Sequence, residues 1–175
     1  MKVLIAYASA HGSTAEIAEF IGRALSEQGL SVTVASADTL STVKGYDLFV
    51  LGTAIHAGTW LPAMTDFTSR FAEELAKHPV FLWVTCIRVM EQYGEEHVME
   101  HYMVHELLRK INPRGIAAFA GKLDLQTVDW NERWTLAARY DGMTWPSSFD
   151  GDFRNWEEIR AWAQRIADHA QAAQA

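Results

Sequence analysis

The sequence predicts a doubly wound α/β domain, a five-stranded parallel sheet with helices on both faces. Three observations predict it. Short apolar runs alternate with longer amphipathic segments along the chain. Those runs are apolar at consecutive positions, as strands covered on both faces must be. At 175 residues and 49% hydrophobic, the chain is also long enough to bury roughly 70% of its unfolded surface as one domain.

Each element follows from its residues. A near-continuous apolar strand over 3–8 leads into a helix from about residue 13, where Ile17, Phe20, Ile21, Ala24 and Leu25 recur at helical spacing until Gly29 stops it. Strands follow at 30–36 and 47–53. The next helix carries Met64, Phe67, Phe71 and Leu75 on one face and tolerates Pro62 near its start. Val80 to Thr85 is the fourth strand, and one long helix is expected over 93–111. The fifth strand, Ile116 to Ala120, lies between Gly115 and Gly121. The last helix opens at Asn155, with Glu158 three residues on, and turns Trp156, Ile159, Ala163 and Ile166 inward. The Ala/Gln-rich tail after Asp168 is expected to fray.

The segment 122–154 breaks the alternation. It holds Trp130, Trp134, Tyr140, Trp145, Phe149 and Phe153 among Asp and Asn, with a turn signal at Trp145-Pro146-Ser147. Two readings stand: an excursion packed on the sheet edge by its own aromatics, or a surface for a substrate or partner.

Charge and composition exclude several classes. With 15 basic against 22 acidic residues the formal charge is −7, and no basic stripe occurs, which argues against nucleic acid as a partner. No apolar run is long enough for a transmembrane segment. Lys2, the apolar run after it and Ala8-Ser9-Ala10 imitate a secretory signal, but a buried first strand gives the same pattern. The single cysteine, Cys86, rules out a disulfide within one chain and fits a reducing cytoplasm.

In an open parallel sheet, ligands bind beyond the carboxyl ends of the strands. Three such ends are unusual here. In Ser9-Ala10-His11-Gly12-Ser13-Thr14, hydroxyls and a glycine precede a helix whose first N–H groups are unpaired, so a phosphate could be held by neutral donors. An ordinary N-cap is the plain alternative. The second end, Gly52 to Trp60, lets a planar ring approach its backbone at Ile55-His56-Ala57-Gly58, with the Trp60 indole beside it. The third is Thr85-Cys86-Ile87-Arg88. One ligand touching all three has a phosphate at one end and a flat heteroaromatic at the other.

"YASAHGSTAEIA" resembles the phosphate loop of the flavodoxins, and "LGTAIHAGTW" resembles their second flavin loop. The resemblance covers nearly the whole chain. It is closest to the branch of menaquinone-dependent protoporphyrinogen oxidases, supported by "FAGKLD", the aromatic excursion and the closing "WEEIRAWAQRIA". It implies FMN as cofactor. Ser9, Ala10, His11, Gly12, Ser13 and Thr14 would hold the phosphate; Ile55, His56, Ala57, Gly58 and Trp60 would line the isoalloxazine; Thr85, Cys86, Ile87 and Arg88 would close the other side. It further implies that the Ala57-Gly58 carbonyl turns toward flavin N5 on reduction, with Gly58 making the turn cheap. No catalytic side chain is required, because the flavin carries the chemistry.

Two departures qualify the resemblance. In the protoporphyrinogen oxidases the excursion is strongly basic and the proteins meet membranes and quinone. Here it carries Asp124, Asp129, Asp141, Asp150 and Asp152, which repel anionic porphyrin carboxylates and lipid headgroups, although Arg88, Arg133 and Arg139 leave a carboxylate substrate open. His56 and Arg88 also make the flavin surround more cationic than in electron-carrier flavodoxins, which raises the potential. The expected activity is flavin-mediated electron transfer with a redox partner protein or a small organic substrate or quinone. The alternatives are a dehydrogenase of the protoporphyrinogen oxidase type and a cofactor-free interaction domain. Against the last, Tyr7 and Ser9 stand where a phosphoacceptor domain would cluster Asp. His97, His101 and His105 fall at i, i+4 and i+8, but His97 and His101 continue the stripe of Val104, Leu108 and Ile111, which favours a half-buried packing face or a homodimer contact over a metal site.

Overall fold

Strand β1 (Lys2–Ala8) is the hub of the sheet. It pairs in parallel with β2 (Ser31–Ser36) on one side and β3 (Leu48–His56) on the other. The sheet continues through β5 (Val80–Thr85) to β6 (Gly115–Phe119), giving the order β2-β1-β3-β5-β6, with the short antiparallel β4 (Thr59–Trp60) attached to β3. The chain reverses its winding direction between β1 and β3, and a crevice opens at such a switch point above the carboxyl ends of the strands. The computed structural model describes residues 1–124, 126, 128 and 151–173.

Alternation along the strands divides the core into two layers. Leu4, Phe49, Leu51, Leu82 and Val84 face one side, where α2 (Pro62–Leu75), α3 (Gly94–His101) and α4 (His105–Ile111) cover them with Met64, Phe67, Val98 and Leu107. Val3, Ile5, Val50, Phe81 and Trp83 face the other side, under α1 (Ser13–Glu27) and α5 (Trp156–Ala172). There Trp162 meets the rings of Phe81, Trp83 and Phe119 edge-on at 6.4, 6.1 and 5.8 Å. Gly52 is imposed by this packing: a Cβ on it would lie 2.0 Å from the Trp83 indole.

The structure departs from the sequence expectations in four places. The long helix over 93–111 is broken: α3 closes with the Tyr102 N–H on the Val98 carbonyl, Val104 leaves helical geometry, and α4 restarts at His105. The break drops Met103 into the core, and the His105 ring, with Nε2 3.1 Å from the Glu100 carbonyl, covers a freed acceptor. The buried residues are Val98, Met103, Leu107 and Ile111, while His101 and His105 are exposed, so the histidine row is no continuous packing face. Second, the Ala/Gln tail stays helical past Asp168 as far as Ala172. Helix α5 runs to Ala172, because Ala170 is buried and the His169 ring packs edge-on to Phe81 at 5.3 Å. Third, β3 continues three residues beyond the expected end and folds back on itself. Fourth, the excursion begins and ends as a ribbon, β7 (Lys122–Leu123) antiparallel to β8 (Gly151–Asp152). The excursion's Trp130, Trp134, Tyr140, Trp145 and Phe149, its Asp129, Asp141 and Asp150, Arg133 and Arg139, and the turn at 145–147 lie outside the described residues.

The other helices follow their patterns. On α1, Ile17, Ile21 and Leu25 are fully buried, and Phe20 stacks on Trp156 at 4.8 Å. Helix α5 opens as expected, the Glu158 N–H donating to Asn155 Oδ1 at 3.2 Å.

Candidate functional site

The loop after β1 does not end in an ordinary cap. The residue at the N-cap of α1 is Gly12, in the left-handed region at φ 90°, and no side chain caps the helix. Ser9 instead folds the loop, its Oγ accepting the Gly12 N–H at 3.1 Å. The first bond inside the helix is the Glu16 N–H to the Gly12 carbonyl at 3.0 Å, so the N–H groups of Ser13, Thr14 and Ala15 have no acceptor within the helix. Thr14 is fully buried and its hydroxyl has no partner. Ser13 and Gly12 are half-buried, whereas Ala10 and His11 are exposed at the rim.

The second strand end is a hairpin rather than a loose loop. Ile55 pairs with Trp60 and His56 with Thr59, leaving Ala57 and Gly58 as a two-residue turn. Both have positive φ, 50° and 78°, which defines a type I′ turn. Rotating the peptide between them by half a turn would create a II′ turn, which demands glycine at the first position, occupied here by Ala57. The limiting residue for such a rotation is therefore Ala57 and not Gly58. His56 and Ala57 are exposed, while Trp60 is only 2% exposed and belongs to the hydrophobic cluster under α2, so its indole offers no free stacking face.

At the third end, Thr85 is 5% exposed with an unpartnered hydroxyl. The Cys86 N–H donates to the Phe119 carbonyl at 2.9 Å, and burial pushes the Cys86 thiol up to about 11, only partly offset by the Arg88 backbone and charge. Cys86 is a small buried hydrophobe that stays protonated at neutral pH. Ile87 and Arg88 open a 3-10 turn (Ile87–Met90) and are half-buried. Arg88 Nε is buried without a hydrogen bond, Glu91 Oε2 being 3.6 Å away.

Several neighbours of these loops were not legible in the sequence. Gly121, which follows β6, sits where a Cβ would meet Thr85 Cγ2 at 3.0 Å and Ser13 Oγ at 3.1 Å, so it ties the first loop to the third. The helix break aims Tyr102 at the hairpin, its ring 3.4 Å from where a Cβ on Gly58 would stand. His97 lies edge-on to Tyr102 at 5.2 Å and 4.4 Å from the His101 ring. Burial, then the nearby Arg88 and His101, holds His97 below the usual imidazole range, so it is mostly neutral at pH 7. Among the described residues no group of three or more His, Cys, Asp or Glu is placed to hold a metal ion.

Six buried side-chain polar atoms lack a partner among the described residues, and four of them belong to these strand ends: Thr14 Oγ1, Trp60 Nε1, Thr85 Oγ1 and Arg88 Nε. Thr14 Oγ1, Thr85 Oγ1 and Arg88 Nε lie at the first and third strand ends, whereas Trp60 Nε1 lies in the core beneath the hairpin. An uncapped helix start, a hydroxyl from each of two loops and a guanidinium on the far side fit a molecule with a phosphate and a polar ring.

Comparison with known proteins gives the family and the fold. The family model described as the flavodoxin domain matches residues 4–142. The protoporphyrinogen IX dehydrogenase [quinone] of Escherichia coli (strain K12) is 24% identical over 172 residues, 95% of each chain. Among solved structures, the flavodoxin of Streptococcus pneumonia TIGR4 superposes with a TM-score of 0.62 at 16% identity, over 99% of both chains. The rubredoxin oxygen:oxidoreductase of Desulfovibrio gigas gives 0.64 at 14% identity; 99% of this chain covers 37% of that larger one. At these identities the two structural likenesses establish the fold.

Proposed function

The chain belongs to the flavodoxin domain family, and from that premise we propose that it is an FMN-binding oxidoreductase, a single domain over residues 1–175 that works by flavin-mediated electron transfer. The observation that carries this reading is the uncapped start of α1 together with the unpartnered Thr14 Oγ1, Thr85 Oγ1 and Arg88 Nε at the ends of β1 and β5. Ser9, Gly12, Ser13 and Thr14 would hold the phosphate through backbone N–H groups and hydroxyls, with Ala10 and His11 at its rim. Ile55, His56, Ala57 and Gly58 would flank the ring with Trp60 as their floor, and Thr85, Cys86, Ile87 and Arg88 would close the opposite side. FMN, when bound, supplies the electron and hydride chemistry, so these residues bind, orient and tune. The Arg88 charge favours an electron-rich ring, and Tyr102 and His97 wall the hairpin side against water.

The electron acceptor or donor is a redox partner protein or a small organic molecule such as a quinone, in the cytoplasm. Among the described residues no helix is long and apolar enough to cross a membrane. A second reading, dehydrogenation of a bound substrate with electrons passed to quinone, is favoured by the E. coli relative, whose alignment runs through the excursion as well as the sheet. The aspartates of that excursion oppose the anionic porphyrin carboxylates such an enzyme would handle.

An absorbance scan of the freshly purified protein, repeated after adding FMN, tests the first step. Flavin bands, or quenched FMN fluorescence, are expected; absence of both sinks the reading. Protoporphyrinogen turnover with a quinone analogue then separates the two activities, since a carrier gives none.

A further inference from the structure

A phosphate held without a cationic side chain raises an electrostatic question that the structure answers from outside the loop. Glu16 lies in the first turn of α1, directly after the uncapped N–H groups of Ser13, Thr14 and Ala15. Its carboxylate suits the helix dipole but repels any anion bound at the same end. Arg154, 138 residues away in sequence, donates from Nη1 to Glu16 Oε2 at 2.6 Å. The same guanidinium is held from behind, Nε and Nη2 donating to Asp152 Oδ1 and Oδ2 at 2.7 and 2.6 Å. Its side chain is only 4% exposed and lies over the Trp156 ring at 4.5 Å. Asp152 is in β8, where it pairs with Lys122, and the Phe153 N–H donates to the Gly121 carbonyl at 3.2 Å. Gly121 in turn abuts Ser13 and Thr85.

We infer that Arg154 is a positioning residue for the phosphate end of the flavin site: it masks the Glu16 charge and clamps the excursion's ribbon against the first turn of α1. This rests on the FMN reading above. A bidentate, buried guanidinium is already fixed in place, so neutralising Glu16 requires no further ordering when the ligand arrives. One positive charge is shared here between two carboxylates, so Arg154 lowers the repulsion from Glu16 rather than serving as the phosphate's counter-charge.

Riboflavin, which has the ring but no phosphate, gives the discriminating control. Fluorescence-quenching titrations of the full chain compare FMN with riboflavin. Arg154→Met is expected to weaken FMN about tenfold and to change riboflavin by less than about twofold. Arg154→Lys, which keeps the charge, should recover most of the FMN affinity. Adding Glu16→Gln to Arg154→Met should bring FMN back to within about threefold of the parent, a rescue that a purely structural role for Arg154 would not produce. Equal loss of both ligands, loss of neither, or no rescue overturns the inference while leaving the flavin reading intact. If Arg154→Met does not fold, Glu16→Gln alone decides: FMN should bind at least as tightly and riboflavin unchanged, and weaker FMN binding overturns the inference. A parent chain that quenches neither ligand removes the FMN reading itself and this inference with it.

Discussion

The loop after β1 and the hairpin after β3 stand side by side at the same end of the sheet, yet they are built in opposite ways. In the first, the left-handed backbone falls on Gly12, where a Cβ would meet nothing within 4 Å, and the Thr14 hydroxyl is left unpartnered. In the second, strand pairing closes the turn, one left-handed position falls on Ala57, and the hydroxyl at the hairpin's base is satisfied internally. That hydroxyl belongs to Thr53: its Oγ1 donates to the Ala54 carbonyl at 3.0 Å and accepts the Leu61 N–H at 3.3 Å. The first loop leaves N–H groups and a hydroxyl without acceptors in the helix, whereas the second closes hydrogen bonds on itself.

The most drastic way to break the comparison is to remove the floor beneath the hairpin. Gly52→Ala places a methyl 2.0 Å from the Trp83 ring, which is itself fully buried and cannot swing away. Destabilisation of at least about 3 kcal/mol is expected, read as a lowered denaturant midpoint. A change below about 1 kcal/mol would mean that the β3–β5 packing is looser than described.

A matched pair of substitutions sharpens it. Thr14→Val and Thr53→Val each remove a fully buried hydroxyl with little change in volume. Thr14→Val should leave the flavin-free protein as stable or up to about 1 kcal/mol more stable, and should weaken FMN about tenfold. Thr53→Val should do the reverse, costing about 1–2 kcal/mol by stranding the Leu61 N–H while changing FMN affinity little. Thermal melts and FMN titrations of both variants check the crossed pattern. Parallel behaviour would erase the distinction between the two loops.

What the sequence disclosed about these regions follows the same division. The succession of strands and helices and both glycine-bearing loops were legible, because buried parallel strands write continuous apolar runs and glycine punctuates their ends. The break at Tyr102 was not, since His-Tyr-Met-Val-His contains neither Gly nor Pro and keeps a plausible helical stripe. From sequence the hairpin reads as a loop because Ala-Gly lacks the Asn or Asp that usually marks a type I′ turn. Trp60 illustrates the limit for single side chains: an indole after a small-residue loop reads as a stacking platform, and only the β4 pairing shows it facing the core. Gly121 and Arg154 were invisible as site residues, since their partners are distant in sequence and no short motif joins them.

The smallest expected effect concerns Ala57. A left-handed alanine costs about 1–2 kcal/mol, and glycine would relieve that at an entropic cost of about 0.5–1 kcal/mol. Ala57→Gly should therefore stabilise the flavin-free protein by roughly 0.5 kcal/mol, a rise of about 1–2 °C in Tm. Its second consequence is more informative. Turning the Ala57-Gly58 carbonyl over requires a backbone conformation at residue 57 that only glycine adopts readily, a barrier of about 1–3 kcal/mol in this chain. If flavin reduction pulls on that carbonyl, the variant should respond where the parent resists, and the separation between its first and second one-electron midpoint potentials should widen by several tens of millivolts. Unchanged separation alongside the higher Tm would place the strain of Ala57 in the fold alone, and the hairpin would then act on the flavin through shape, as its closed hydrogen bonding already implies.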